Sequence, residues 1–158
     1  MCEAADTSPQ GRPRTDDDAA ATEPERDQHP DQAPRVLIVD DHAPFRSIAR
    51  QLLTADGFLV VGEAASGAEA IHACGDLRPD LVLLDVQLPD IDGFVVAAAL
   101  ATRAAPPAVV LVSSRSRADY GSSIEDCPAH GYIPKSELSG HGLRRLLRLA
   151  NRLPPSAP

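Results

Sequence analysis

Leu81-Val82-Leu83-Leu84-Asp85-Val86-Gln87-Leu88-Pro89 is the stretch whose reading decides the fold. Its four leading apolar residues follow Arg78-Pro79-Asp80 and run into Pro89-Asp90 and Asp92-Gly93, the pattern of a short strand buried on both faces. Such a strand belongs to a parallel sheet with helices on either side, and Asp85 is the first charge at its carboxyl end. In open parallel α/β sheets ligands bind at that edge, because the loops leaving the strand tips form a crevice there. A single Asp after an apolar run is ordinarily a turn former, so Asp85 alone decides little.

A second stretch changes the reading. Arg35-Val36-Leu37-Ile38-Val39 is another doubly buried strand, and it ends in Asp40-Asp41. If the two strands are parallel neighbours, three carboxylates converge at one sheet edge. At ~4 Å and an effective dielectric of about 20, each like-charge pair costs on the order of 4 kcal/mol. A divalent cation relieves that repulsion. These strand tips offer oxygen and no His or Cys ligand, which favours Mg²⁺ over zinc.

The chain of 158 residues is long enough for one sizeable core. Residues 1–34 contain no Val, Ile, Leu, Phe or Tyr, and hold nine acids against three arginines. They contribute −6 of the net −8 and are expected to form a disordered, solubilising acidic arm that does not bind nucleic acid. Cys2, Cys74 and Cys127 have no CxxC spacing, which predicts reduced thiols rather than a disulfide framework or a zinc site. With no leader and no apolar run near 18 residues, the chain is expected to be cytoplasmic, without membrane insertion.

From Arg35 onward strands and helices alternate. Phe45, Ile48, Ala49, Leu52 and Leu53 predict the apolar face of a first helix ending near Asp56-Gly57. Phe58 to Val61 is the second strand, and Ser66 with Glu69 predicts a capping box opening a helix through Cys74. After the Asp85 strand comes an Ala-rich helix from Phe94 to Leu100, stopped before Pro106-Pro107. Ala108 to Val112 is the fourth strand, ending in Ser113-Ser114. A weakly patterned helix around Tyr120 to Glu125 and a brief strand at Gly131-Tyr132-Ile133 follow. Leu143, Leu146, Leu147 and Ala150 mark a final helix capped by Ser139. The expected fold is a doubly wound five-stranded parallel sheet with five helices on its two faces, over residues 35–152, with a flexible tail at 153–158.

Lys135 stands just past the fifth strand and is the only lysine, the other fourteen basic side chains being arginine. A compact ammonium at a strand tip suits a phosphate oxygen or a carboxylate.

From Arg35 to about Arg152 these residues resemble the receiver domain of two-component response regulators, a flavodoxin-like fold. Asp40-Asp41 looks like the family's acidic metal pair, Asp85 its phosphoacceptor and Ser113 its hydroxyl switch residue. Tyr132 looks like its aromatic switch, Lys135 its lysine, and Leu88-Pro89-Asp90-Ile91-Asp92-Gly93 its L-P-x-x-D-G segment. The resemblance implies Mg²⁺ held by Asp40, Asp41, Asp85 and the Val86 carbonyl. Asp85 would take a phosphoryl group from a sensor histidine kinase or phosphotransfer protein, with Lys135 neutralising charge. It also implies that Ser113 and Lys135 reach the phosphoryl oxygens and that Tyr132 turns inward, altering the face of helix four, strand five and helix five for a downstream protein partner. Gln87 and Arg115 sit where the family tunes dephosphorylation. Such a chain catalyses its own phosphorylation and dephosphorylation but is not expected to turn over an external substrate. Ser136 follows the lysine where many members have proline, leaving open whether that bond is cis.

Other classes fit less well. A haloacid-dehalogenase-type phosphatase needs a second acid two residues after its nucleophile, where Gln87 stands, and Asp40-Asp41 would repel a flavin phosphate. The alternative is a pseudo-receiver, a constitutive interaction module. His42 is expected to cap or shield its loop rather than ligate metal; His72, His130 and His141 are expected to be solvated. Arg144, Arg145, Arg148 and Arg152 complement the last helix dipole and could face an acidic partner. No output domain is expected after Arg152, which predicts a single-domain regulator working through protein contact, without direct nucleic-acid binding.

Overall fold

The computed structural model describes residues 33–149. Most of the acidic arm, Arg152 and the tail at 153–158 lie outside the described residues. Five parallel strands, β1 (Arg35–Val39), β2 (Leu59–Ala64), β3 (Leu81–Asp85), β4 (Ala108–Ser113) and β5 (Gly131–Pro134), form one sheet in the order β2-β1-β3-β4-β5. The helices are α1 (Ala43–Ala55), α2 (Gly67–Leu77), α3 (Gly93–Ala101), α4 (Ser122–Asp126) and α5 (Gly140–Leu149). Single 3₁₀ turns lie at Arg117–Tyr120 and Lys135–Glu137. This is the doubly wound, five-stranded parallel sheet with five helices expected from the strand pattern.

The inner strands are apolar throughout because both of their faces are covered. Val36, Ile38, Leu81, Leu83, Val110 and Val112 pack with Ala49 and Leu53 of α1 and Leu143 and Leu147 of α5. Their chain neighbours Leu37, Val39, Val82, Leu84, Val109 and Leu111 pack on the opposite face with Ala70 and Cys74 of α2 and Val96, Ala97 and Leu100 of α3. Each fully buried Val or Leu contributes about 1.5–3 kcal/mol, so this two-sided core outweighs any single helix propensity. Period-two alternation is therefore invisible in the residue types of β3 yet governs which helix each side chain meets.

Three elements depart from the expected pattern. β2 runs on to Ala64, with Phe58 buried just before it rather than within it. As the edge strand it pairs only with β1, so its exposed Glu63 costs no core surface. Ile48 is 60% exposed, because α1 turns Ala49 and Leu53 toward the sheet. The expected helix from Tyr120 to Glu125 is instead a 3₁₀ turn ending at Tyr120 and a separate five-residue α4, divided by Gly121 at φ 56°.

Helix ends are tied down by side chains. Ser66 Oγ accepts from the Glu69 amide at 3.2 Å, but the Glu69 carboxylate reaches back to the Ala65 amide rather than closing the box on Ser66. Asp90 Oδ1 and Oδ2 accept from the Gly67 and Ala68 amides, which joins the loop after β3 to the start of α2. Ser139 caps α5 by accepting from the Gly142 amide. Asp56, at the end of α1, accepts from the Gly140 amide at 2.9 Å, while Arg144 donates to the Asp56 carbonyl and stacks on Phe58. Asp56→Ala leaves an amide at the α5 N-terminus without its acceptor, an expected loss of about 1 kcal/mol in urea unfolding.

Candidate functional site

α1 follows β1 on one face of the sheet and α3 follows β3 on the other. Because β1 and β3 are hydrogen-bonded neighbours, the loops at their carboxyl ends part there, and the chain direction of the fold opens a crevice. Asp40 follows β1 and Asp85 ends β3 on either side of it. Asp40 is fully buried, Asp85 nearly so, and Asp41 exposed, with one carboxylate oxygen of each lying within 4.8 Å of the others.

Lys135 closes the group from the fifth strand. Its Nζ lies 2.6 Å from Asp40 Oδ2 and 3.5 Å from Asp85 Oδ2. Burial opposes the ammonium charge, but hydrogen bonding to Asp40 and the charges of Asp85 and Asp40 override it and hold the Lys135 pKa above its ordinary value. Burial pushes Asp85 up to about 6, the Asp40 charge adding to the effect and Lys135 opposing it. Asp40 Oδ2 is fully buried and has the Lys135 ammonium as its partner. Three carboxylates against that single ammonium leave an excess of negative charge, and an all-oxygen cluster of this kind fits a hard cation such as Mg²⁺. Among the described residues, no other group of His, Cys, Asp or Glu could hold a metal.

Several residues brace this arrangement. Asp40 Oδ1 accepts from the His42 amide at 2.8 Å, a local turn that fixes the carboxylate, and the His42 side chain does not join the acidic group. Arg46 of α1 donates to the Asp40 carbonyl at 2.7 Å and is itself held by Glu63, which also pairs with Arg50. Gln87 is exposed, and its amide donates to Asp85 Oδ1 at 3.3 Å. Phe45, which the periodicity assigned to the helix core, lies under Lys135 with its ring centroid 4.6 Å from Nζ. Nothing in the local pattern distinguishes that role from packing.

The Val86 carbonyl, expected among the metal oxygens, accepts from the Gly93 amide at 2.8 Å with one of its two lone pairs. One expectation is corrected. His130 is not merely solvated: its Nδ1 accepts from the Val109 amide and its own amide donates to the Val109 carbonyl, extending the β4–β5 edge. The Lys135–Ser136 bond is trans, as are all peptide bonds among the described residues. A cis bond before Ser136 would cost about 3–4 kcal/mol.

Ser113, at the tip of β4, is 1% exposed. Its Oγ accepts from the Arg115 amide at 3.0 Å and shares a 2.5 Å hydrogen bond with Tyr120 Oη. Tyr132 donates its hydroxyl to the Arg115 carbonyl, and burial raises its pKa. The three aromatic rings form a chain, Phe94 to Tyr120 at 5.7 Å and Tyr120 to Tyr132 at 6.2 Å, both edge to face. Tyr120, to which the sequence assigned no site role, thus joins Tyr132 beside Ser113, and its stretch lacks the periodicity that would have singled it out.

Residues 36–146 match the family described as the response regulator receiver domain. The chain is 35% identical over 123 residues to the transcriptional regulatory protein PdtaR of Mycobacterium tuberculosis, a match covering 78% of this chain and 54% of that protein. It is 48% identical over 81 residues to protein-glutamate methylesterase/protein-glutamine glutaminase 5 of Myxococcus xanthus, covering 51% of this chain and 23% of the relative. The chain therefore spans about half the length of one curated relative and about a quarter of the other. Its fold superposes on the signal receiver domain of a modulated diguanylate cyclase from Desulfovibrio desulfuricans G20 with a TM-score of 0.66 and 29% identity, covering 75% of this chain and 94% of that one. With the acidic crevice, the lysine opposite it and the sheet order all in hand, the chain belongs to the receiver domain family of response regulators.

Proposed function

We propose that this chain is a phosphorylation-controlled switch whose phosphoacceptor is Asp85, fed by a sensor histidine kinase or phosphotransfer protein. The observation that carries the reading is the convergence of Asp40, Asp41 and Asp85 oxygens within 4.8 Å, with Lys135 Nζ between Asp40 and Asp85. Lys135 offsets only part of that negative charge, and a bound divalent cation would offset the rest.

Asp40, Asp41 and Asp85 would hold Mg²⁺, which when bound supplies charge neutralisation for phosphoryl transfer. An Asp85 oxygen forms the new P–O bond as the donor's P–N bond breaks, and the leaving imidazole nitrogen keeps the electron pair and takes up a proton. Lys135, held over Phe45, offsets charge on the transferred oxygens. Ser113 donates its hydroxyl proton to one of them, and Gln87, exposed beside Asp85, meets water arriving at the acyl phosphate. Arg115 connects the site to the surface through its backbone, which both Ser113 and Tyr132 grip. The resulting change at α4, β5 and α5 is the signal to a downstream protein partner.

Relatives carry named transcriptional-regulator and methylesterase functions on longer chains. We read this chain as a cytoplasmic receiver whose output is protein contact. No helix among the described residues is long and apolar enough to cross a membrane.

The test is intact-protein mass after incubation with acetyl phosphate and Mg²⁺. One labile phosphoryl adduct is expected, lost when the metal is chelated. A chain that stays unmodified with Mg²⁺ present is a constitutive interaction module instead.

A further inference from the structure

Ser113 must let go of something before it can serve a phosphoryl group. Its hydroxyl has one proton to give and two lone pairs to receive with. The Arg115 amide takes one lone pair, and the 2.5 Å bond to Tyr120 Oη takes a second position. Both partners lie in the segment that follows β4, and with Tyr120 Oη as the acceptor the single Ser113 proton is turned to that segment and away from Asp85.

Tyr120 is itself held firmly. It ends the 3₁₀ turn Arg117–Tyr120, whose start is secured by Asp119 Oδ2 accepting from both the Ser116 amide and the Ser116 hydroxyl at 3.0 Å. Its ring is wedged edge to face between Phe94 and Tyr132. Gly121 follows at φ 56° with nothing within 4 Å of where a Cβ would stand, and Tyr120 lines a cavity of about 570 Å³ that also borders Gln87 and Phe94. The ring thus has a fixed seat, a swivel beside it and free volume next to it.

We propose that Tyr120 is a positioning residue that clasps the Ser113 hydroxyl in the resting protein and must release it for Asp85 phosphorylation. The inference rests on the phosphoacceptor reading above. It assigns the restraint on Ser113 to a residue other than Tyr132, whose own proton is given to the Arg115 carbonyl. In the step concerned, the Asp85 P–O bond forms as the acyl P–O bond of the donor breaks, and acetate leaves with the electron pair; Ser113 stabilises the transferred oxygens and is not consumed.

The experiment is the rate of adduct formation from acetyl phosphate with Mg²⁺, followed by intact mass in four proteins: wild type, Tyr120→Phe, Ser113→Ala and the double variant. Tyr120→Phe keeps the ring and its packing and removes only the hydroxyl. Freed from the clasp, Ser113 is expected to raise the rate about fivefold, the worth of one neutral hydrogen bond. In the Ser113→Ala background the same substitution is expected to change nothing, because the clasp acts only through Ser113. A Tyr120→Phe rate equal to or below wild type, or an acceleration that persists without the Ser113 hydroxyl, overturns this inference alone. Absence of any adduct in the wild type overturns the phosphoacceptor reading and this inference with it.

Discussion

Asp85→Asn is expected to eliminate the metal-dependent phosphoryl adduct and, at the same time, to make the metal-free protein more stable at pH 8 than the wild type. The first effect follows from removing the acceptor oxygen's nucleophilic charge. The second follows from linkage. Asp85 has a side chain only 6% exposed, and burial with the neighbouring Asp40 charge moves its pKa from 3.8 to about 6 in the folded state. A carboxyl that binds its proton more tightly folded than unfolded favours folding when protonated. That contribution is full below pH 3.8 and is lost as pH rises through about 6. A shift of roughly two pKa units corresponds to on the order of 3 kcal/mol at higher pH, the strain of holding a buried charge ready for a ligand. Asn fills the same volume without the charge and leaves Lys135 its pairing with Asp40. Urea unfolding in chelator at pH 5 and pH 8 reads the difference between the two proteins, which cancels the titration of every other carboxylate. The stability gap in favour of Asn should widen with pH; a gap that is flat, or that favours the wild type at pH 8, would falsify the electrostatic account of the site.

Gly93→Ala is expected to cost more than its chemistry suggests. Alanine is the better helix former by about 1 kcal/mol, and Gly93 is the first residue of α3, so propensity alone predicts a gain. Sterics reverse the sign. A Cβ at this position would stand 2.4 Å from the Asp85 carbonyl oxygen, 2.8 Å from the Val86 Cα and 3.1 Å from the Val86 oxygen. All three are backbone atoms of the turn that carries Asp85 and cannot rotate aside. Overpacking against such neighbours costs roughly 1–3 kcal/mol or more, and relieving it must stretch the Gly93 amide to Val86 carbonyl bond. A net loss of about 2 kcal/mol in urea unfolding, accompanied by a fall in adduct yield, is the expected result. Gly75→Ala is the matched control, because its Cβ would stand at an ordinary contact distance of 3.5 Å from the Arg103 guanidinium. That substitution should stabilise α2 by roughly 0.5–1 kcal/mol. Equal effects at the two glycines would show that the close approach at Gly93 is not what sets its identity.

How much of this was legible beforehand depended on what kind of information each feature needs. β1 and β3 could be read at once, since an inner parallel strand is apolar on both faces and stands out as an unbroken run. The neighbouring of their tips, and with it the meeting of Asp40, Asp41 and Asp85, followed from that pairing. Lys135 stood out because it is unique in composition. β2 was only half visible, because Gly62 and Glu63 interrupt the apolar run on an edge where polar residues cost nothing. Long-range caps were invisible: Asp56 serves a helix 84 residues away, and no local spacing records it. Backbone oxygens carry no residue code, which is why the hydrogen bond that the Val86 carbonyl accepts from Gly93 had to be seen in three dimensions. Tyr120 was lost for a different reason. Its seat is set by packing against Phe94 and Tyr132, residues from two other elements, while its own turn has no period to read.

The chain contains two tyrosines and no tryptophan. Tyr120 bonds the Ser113 hydroxyl and Tyr132 packs on Tyr120, so the protein's tyrosine fluorescence, and the tyrosine part of its near-ultraviolet dichroism, arise from the ring cluster at Ser113. The molecule therefore carries an unlabelled optical reporter at the place where its two states would differ, with no signal elsewhere to dilute it.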